Sequence, residues 1–201
     1  ERLEDAQWYR DRLEKFLADW NRWKLDDTFA NPEEFWSQSI RKMARLRTQG
    51  LNALRSNPNI VGHSMSGTVD QANCGEGVLT TFRHPKQGAT DAMYDGWYPL
   101  RWCLFVEPVQ AYRNTPLTVE AILSNEDQLA PGEYPVRLQI VGPDSKTVWE
   151  RNVTVTIADP KGKPEPPLAI PVFSEKVTLD VPAGQYRLLA NFQRGAAAAG
   201  R

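Results

Sequence analysis

Between His63 and Gly77 the chain gathers side chains that could engage a polar ligand: His63, Ser64, Ser66, Thr68, Asp70, Gln71, Asn73 and Glu76, separated by glycines at 62, 67, 75 and 77. A carboxylate such as Asp70 or Glu76 accepts hydrogen bonds from hydroxyls. An amide such as Gln71 both donates and accepts, and a hydroxyl such as Ser66 can do either. The turn signal Asn57-Pro58 and the apolar pair Ile60-Val61 come just before. The stretch therefore reads as a buried strand near 59–65 that opens into a loop reaching about 78. A strand would fix these groups while the loop exposes them, as in a ligand site on an α/β scaffold. The same residues would serve equally well as an ordinary polar loop, with Asp70, Gln71 and Glu76 capping turns or forming a structural salt bridge.

Other reactive residue types have simpler explanations. Glu33 and Glu34 follow Asn31-Pro32, an N-cap followed by proline at the first helical position, so they belong to a helix start and not to a catalytic pair. Cys74 and Cys103 could pair, but nothing in their settings requires it. With only His63 and His84 besides them, no metal centre is expected, and no cofactor is implied.

The elements that must position the polar stretch follow from periodicity. Residues 1–25 carry a helical stripe of Tyr9, Leu13, Phe16, Leu17 and Trp20, whose aromatics are expected to pack into a core. A second helix starts at Asn31 and is closed by Pro58; Trp36, Ile40, Met43, Ala44, Leu51 and Leu54 lie on one side, and Arg41, Lys42, Arg45 and Arg47 mostly on the other. A short extended piece is expected at Val78–Phe82, and a short helix over Ala92–Leu100. From Arg101 the period changes to two. Strands are predicted near 102–106, 117–123, 134–141, 147–157, 176–180 and 185–193, with a proline-rich surface crossing at Asp159–Pro171. Six or seven short strands point to an immunoglobulin-like sandwich. The lone strand at 59–65 would need sheet partners outside this chain. The expected fold is an α/β segment, the end of a (β/α)8 barrel, over 1–100, then an all-β immunoglobulin-like sandwich over 101–195 and a small-residue tail at 196–201. Both ends read as cut from something longer.

Composition sets the outer bounds. In 201 residues, 41% are apolar and the formal net charge is −1, with Lys and Arg scattered along the chain. That distribution argues against nucleic acid or an anionic membrane surface as the main partner, and no apolar run nears the roughly 20 residues of a membrane span. The seven tryptophans and six tyrosines suit a core or carbohydrate-stacking platforms. Nothing in the sequence defines a compartment.

The block Arg55-Ser-Asn-Pro-Asn-Ile-Val-Gly-His-Ser-Met-Ser-Gly-Thr-Val-Asp-Gln71 resembles the last strand of the catalytic barrel in family 2 glycoside hydrolases. Asp91–Pro108 resembles the passage from that barrel into the following sandwich, and Leu117–Asp127 and Pro131–Leu138 resemble that domain's early strands. The resemblance implies a retaining mechanism, in which two carboxyl groups about 5–5.5 Å apart act as nucleophile and acid/base. Neither glutamate motif of the family is present, so no catalytic residue is assigned within this chain and both are expected upstream of Glu1. What the resemblance implies here is a substrate rim: Asp70 and Gln71 match the family's Asp-Gln, with Glu76 and Ser66 beside them. Where the family often carries a sugar-stacking tryptophan, this chain has Met65, Ser66 and Gly67. The expected function is that of a fragment of a retaining glycoside hydrolase acting on O-glycosidic bonds. Its expected partners are a carbohydrate substrate and the remainder of a parent chain that completes the barrel. A non-catalytic carbohydrate-binding or scaffold module is the alternative, and an adaptor using first-helix aromatics is a third.

Overall fold

A computed structural model of the chain describes residues 4–71, 74–159, 161 and 168–193. It contains three α-helices, α1 (Glu4–Arg22), α2 (Pro32–Arg55) and α3 (Ala89–Gly96), a single 3-10 turn at Leu25–Asp27, and six strands. The chain divides into two compact units, residues 1–48 with 64–93, and residues 49–63 with 94–201.

In the first unit, α1 sets Phe16 and Trp20 against neighbouring rings. The Phe16 ring lies 5.8 Å from Phe35 and 5.0 Å from Trp36, and Trp20 is 6.3 Å from Phe29. The expected core packing is met only in part: Trp20 is buried, Tyr9 and Phe16 are half-buried, and Leu13, Leu17 and Trp36 are exposed. The start of α2 forms as the sequence predicts: the Asn31 side chain accepts the Glu34 N–H at 2.8 Å, and the Glu34 carboxylate accepts the Ala30 N–H at 2.7 Å. The Asn31 side chain thereby satisfies one orphan amide of the first turn, and the Glu34 side chain fixes the residue before the cap.

The expected barrel strand does not form. Residues 59–65 have no strand pairing; the Ile60 N–H bonds back to the Asn57 carbonyl at 3.1 Å, and Val61 is 91% exposed. Two apolar residues before Gly62 offer too little surface to bury, and without a neighbouring strand the backbone gains nothing by extending. Further on, pairing is limited to isolated bridges, Val69 with Leu79, Gln71 with Cys74 and Leu79 with Pro85. Leu79 thus supplies bridges where an extended piece over Val78–Phe82 was expected, and Thr81–Phe82 is a turn.

The second unit carries β1 (Leu100–Glu107), β2 (Pro116–Asn125), β3 (Gly132–Val141), β4 (Thr147–Ile157), β5 (Ala169–Thr178) and β6 (Arg187–Phe192). Their order is β1-β2-β5 in one sheet and β4-β3-β6 in the other, with every strand pair antiparallel. Inward residues of both sheets, among them Leu100, Trp102, Leu123, Val136, Leu138 and Val155, share one core. The expected fold, an α/β segment from a (β/α)8 barrel followed by an immunoglobulin-like sandwich, is therefore corrected. The described residues form three helices and six antiparallel strands in two sheets of three, with no parallel strand pair on which a barrel could be built.

The strand expected at 176–180 begins earlier, at Ala169, and includes Pro171. Proline cannot donate to a ladder, which is why the stretch reads as a crossing. It is accommodated because β5 is an edge strand and Pro171 sits opposite Ile122, where the β2–β5 register shifts. Much of the expected crossing at Asp159–Pro171, and the tail at 196–201, lie outside the described residues.

Two packing details in the second unit are sharply constrained. Gly96 ends α3 against Leu51 of α2, where an added Cβ would lie 2.1 Å from Leu51 Cδ1 and 3.0 Å from its Cβ. Leu51 is only 4% exposed and cannot withdraw. Gly96→Ala should thus destabilise the chain by about 1–3 kcal/mol in denaturant titrations, despite alanine's better helix propensity. Both cysteines are free thiols, Cys74 exposed and Cys103 fully buried on β1. Burial pushes the Cys103 thiol up to about 11, partly countered by Arg101 and Arg55. The neutral thiol is what the fold stabilises. Its contribution is complete below the unfolded thiol's pKa near 9 and disappears as pH climbs through 11. Between those limits the wild type should lose on the order of 2 kcal/mol that Cys103→Ala does not lose, measured by chemical denaturation at each pH.

Candidate functional site

In the first unit the polar stretch folds into a compact knot between Thr68 and Lys86. The Val78 and Leu79 N–H groups both reach the Thr68 carbonyl, at 3.0 and 3.1 Å, and the Asp70 N–H reaches the Leu79 carbonyl at 2.9 Å. Gly77 is required at this approach, because a Cβ there would sit 2.6 Å from the Asp70 nitrogen and 2.8 Å from the Val69 carbonyl carbon. Backbone atoms cannot move aside as the end of a side chain can.

Asp70 points into this knot. Its carboxylate takes the Lys86 ammonium at 2.7 Å through each oxygen and the Gly77 N–H at 2.9 Å. Lys86 also donates to the Gly75 carbonyl at 2.7 Å, so the ammonium has two hydrogen-bond acceptors as well as its ion-pair contact with the second carboxylate oxygen. Side-chain exposure is 7% for Lys86 and 16% for Asp70. A buried pair with this much hydrogen bonding holds a loop together and leaves Asp70 little capacity for a ligand. Ser66 and Glu76 face solvent and are joined to each other, with the serine hydroxyl donating to Glu76 Oε1 at 3.2 Å. Gln71 is exposed beside them in sequence and exchanges backbone hydrogen bonds with Cys74, at 3.1 and 2.8 Å. Ser66, Gln71 and Glu76 thus remain available for hydroxyl recognition. Asn73 lies outside the described residues.

A second cluster, in the other unit, was not assembled from the sequence. A cavity of about 170 Å³ is lined by Arg55, Asn57, Val61, His63, Trp97 and Glu126, among others. Arg55 forms its anchored wall: it donates to Ser124 Oγ at 2.8 Å and to the Tyr98 carbonyl at 3.3 Å, and pairs with Glu126 at 2.8 Å. Glu126 stays 45% exposed. The His63 and Trp97 rings lie 5.3 Å apart with their planes at 52°, and Trp97 is 48% exposed. A half-exposed indole beside an imidazole, a carboxylate and an amide offers one apolar face and several hydrogen-bonding groups. That combination suits a small ring-shaped polar ligand. In sequence, Arg55 reads as a helix-terminal charge and Glu126 as a turn residue. The available signal was Trp97 itself, a large aromatic beside a chain-breaking Pro99 with no place in either apolar period.

The groups are not arranged for metal binding: no cluster of three or more His, Cys, Asp or Glu side chains occurs among the described residues. Comparison of the sequence with protein-family models and with curated proteins finds no match.

The Asp70–Lys86 pair predicts an asymmetric response to mutation. Asp70→Ala strands a buried ammonium and should cost about 3–5 kcal/mol of stability. The double variant D70A/K86M should recover a substantial part of that loss in thermal melts, since no charge then remains uncompensated.

Proposed function

We propose that this chain is the carbohydrate-binding, non-catalytic portion of a retaining glycoside hydrolase of the family 2 type, with its principal sugar contact at Trp97. The observation that carries this reading is a convergence. Three of the segments that resemble family 2 glycoside hydrolases meet at a single cavity: Arg55, Asn57 and His63 come from the first, Trp97 from the second, and Ser124 and Glu126 from the third. A hexopyranoside would lay its C–H face on the exposed indole, as aromatic platforms allow. The Glu126 carboxylate and the Asn57 amide would receive its hydroxyls. Glu126 can do so because its pairing with Arg55 leaves it partly exposed and fixes its position.

The chemistry of bond cleavage is assigned to residues outside this chain, since neither family glutamate motif is present in it. Ser66, Gln71 and Glu76 form a second hydroxyl-binding set within the first unit, while Asp70 contributes by holding their loop through Lys86.

The test is a titration of the whole chain with a panel of methyl hexopyranosides followed by NMR. At least one sugar should shift the Trp97 and His63 resonances, and Trp97→Ala should weaken that sugar about tenfold or more. Unchanged affinity in W97A, or no response to any sugar at millimolar concentration, would refute the assignment. Turnover of aryl glycosides by the chain alone would overturn its non-catalytic character.

A further inference from the structure

A second cavity, with a one-signed wall, lies in the first unit. It measures about 380 Å³, and Phe29, Phe35, Gln38, Arg41, Lys42 and Arg45 are among the residues that line it. Its cations come from adjacent turns of α2. Arg41 and Arg45 are four residues apart, hence neighbours on one helix face roughly 6 Å apart along the axis, and Lys42 stands three residues before Arg45. Like charges at these spacings disfavour an isolated helix. Nothing in the fold offsets this: no acidic side chain lines the cavity, and none of the three cations forms an ion pair with a described carboxylate.

The nearest candidate counter-charge on α2 is already engaged. The Glu34 carboxylate accepts the Ala30 N–H at 2.7 Å and the Gln38 amide at 3.0 Å. The Phe29 and Phe35 rings that also line the cavity are held in place. Phe35 packs edge-on against Phe29 at 5.2 Å and lies 6.2 Å from Trp20, which is buried. Two guanidinium forks, an ammonium and two fixed phenyl rings lining one cavity suit one particular ligand chemistry. A tetrahedral oxyanion would take bidentate hydrogen bonds from the arginines. A ring attached to it would lie against Phe29 and Phe35.

From this geometry we infer that the Arg41–Arg45 face of α2 binds a sulfate or phosphate monoester of a ring-shaped organic group. The site shares no residue with the sugar cavity and does not rest on it.

The experiment is isothermal titration calorimetry on the full chain at low ionic strength with 4-nitrophenyl sulfate, 4-nitrophenyl phosphate and inorganic sulfate. Both esters should bind more tightly than the inorganic ion, with affinity falling as salt is added. The tighter of the two identifies the natural oxyanion. The double variant R41Q/R45Q should bind about tenfold more weakly or worse with a melting temperature unchanged or slightly raised, because both arginines are exposed and only their mutual repulsion is removed. Trp97→Ala should bind the esters normally, so loss of sugar binding and loss of ester binding are separate outcomes. Wild-type ester affinity in R41Q/R45Q, or esters binding no better than inorganic sulfate, would overturn the assignment.

Discussion

Two arginines in the second unit hold the end of α2 against the first sheet, and one of them, Arg55, walls the cavity beside Trp97. Arg101 on β1 is 1% exposed; its guanidinium donates to Asn52 Oδ1 at 2.9 and 2.7 Å and to the Asp95 carbonyl at 2.5 Å. Arg55 reaches Ser124 on β2 and the Tyr98 carbonyl just beyond α3. Burial pulls the Arg101 pKa below its ordinary value, with Cys103 and Asp95 opposing the shift. Removing such a charge from water is tolerable only where fixed acceptors replace the solvent, and the planar fork meets them without losing a donor to bad geometry. Trp97 lies between Asp95 and Tyr98, both tied to these arginines through their carbonyls, so the indole is presented by a pinned backbone segment.

The first unit solves the same problem with lysine. Lys86 gathers Asp70 and the Gly75 carbonyl, and Gly77 permits the backbone approach that encloses them. Ser66, Gln71 and Glu76 can stay exposed on this loop because its interior is fixed by a charge pair and not by a sheet. The difference bears on function: a side chain aimed inward to stabilise a loop is lost to ligand, which leaves Ser66, Gln71 and Glu76 as the outward members of the set. The unsatisfied cations on α2 show the converse case, in which a surface carries more charge than its own fold can use.

The parts legible in the sequence were those governed by neighbours along the chain. The capping of α2 by Asn31 and Glu34 needs only residues within one turn, and it forms as expected. Alternation placed β2, β3 and β4 to within a few residues, because a strand with one buried face must repeat every two residues. The failures concern partners. Ile60-Val61 has the local look of a strand, but extension is stable only where another strand accepts its hydrogen bonds, and none does. Pro171 has the local look of a loop, yet the edge of a sheet needs no donor on its open side.

The sequence alone therefore determined the two helical stripes, the N-cap of α2, the change to period two after Arg101 and the small set of polar residues worth testing. Each of these follows from short-range sterics or from the need to bury one face. Only the tertiary structure decided that Asp70 is held by Lys86, that the strands divide into two sheets of three, and that His63, Trp97 and Glu126 surround one cavity. Those outcomes depend on which distant groups compete for the same hydrogen bonds and the same buried surface. That competition is settled by the energy of the whole fold, and no local spacing encodes it.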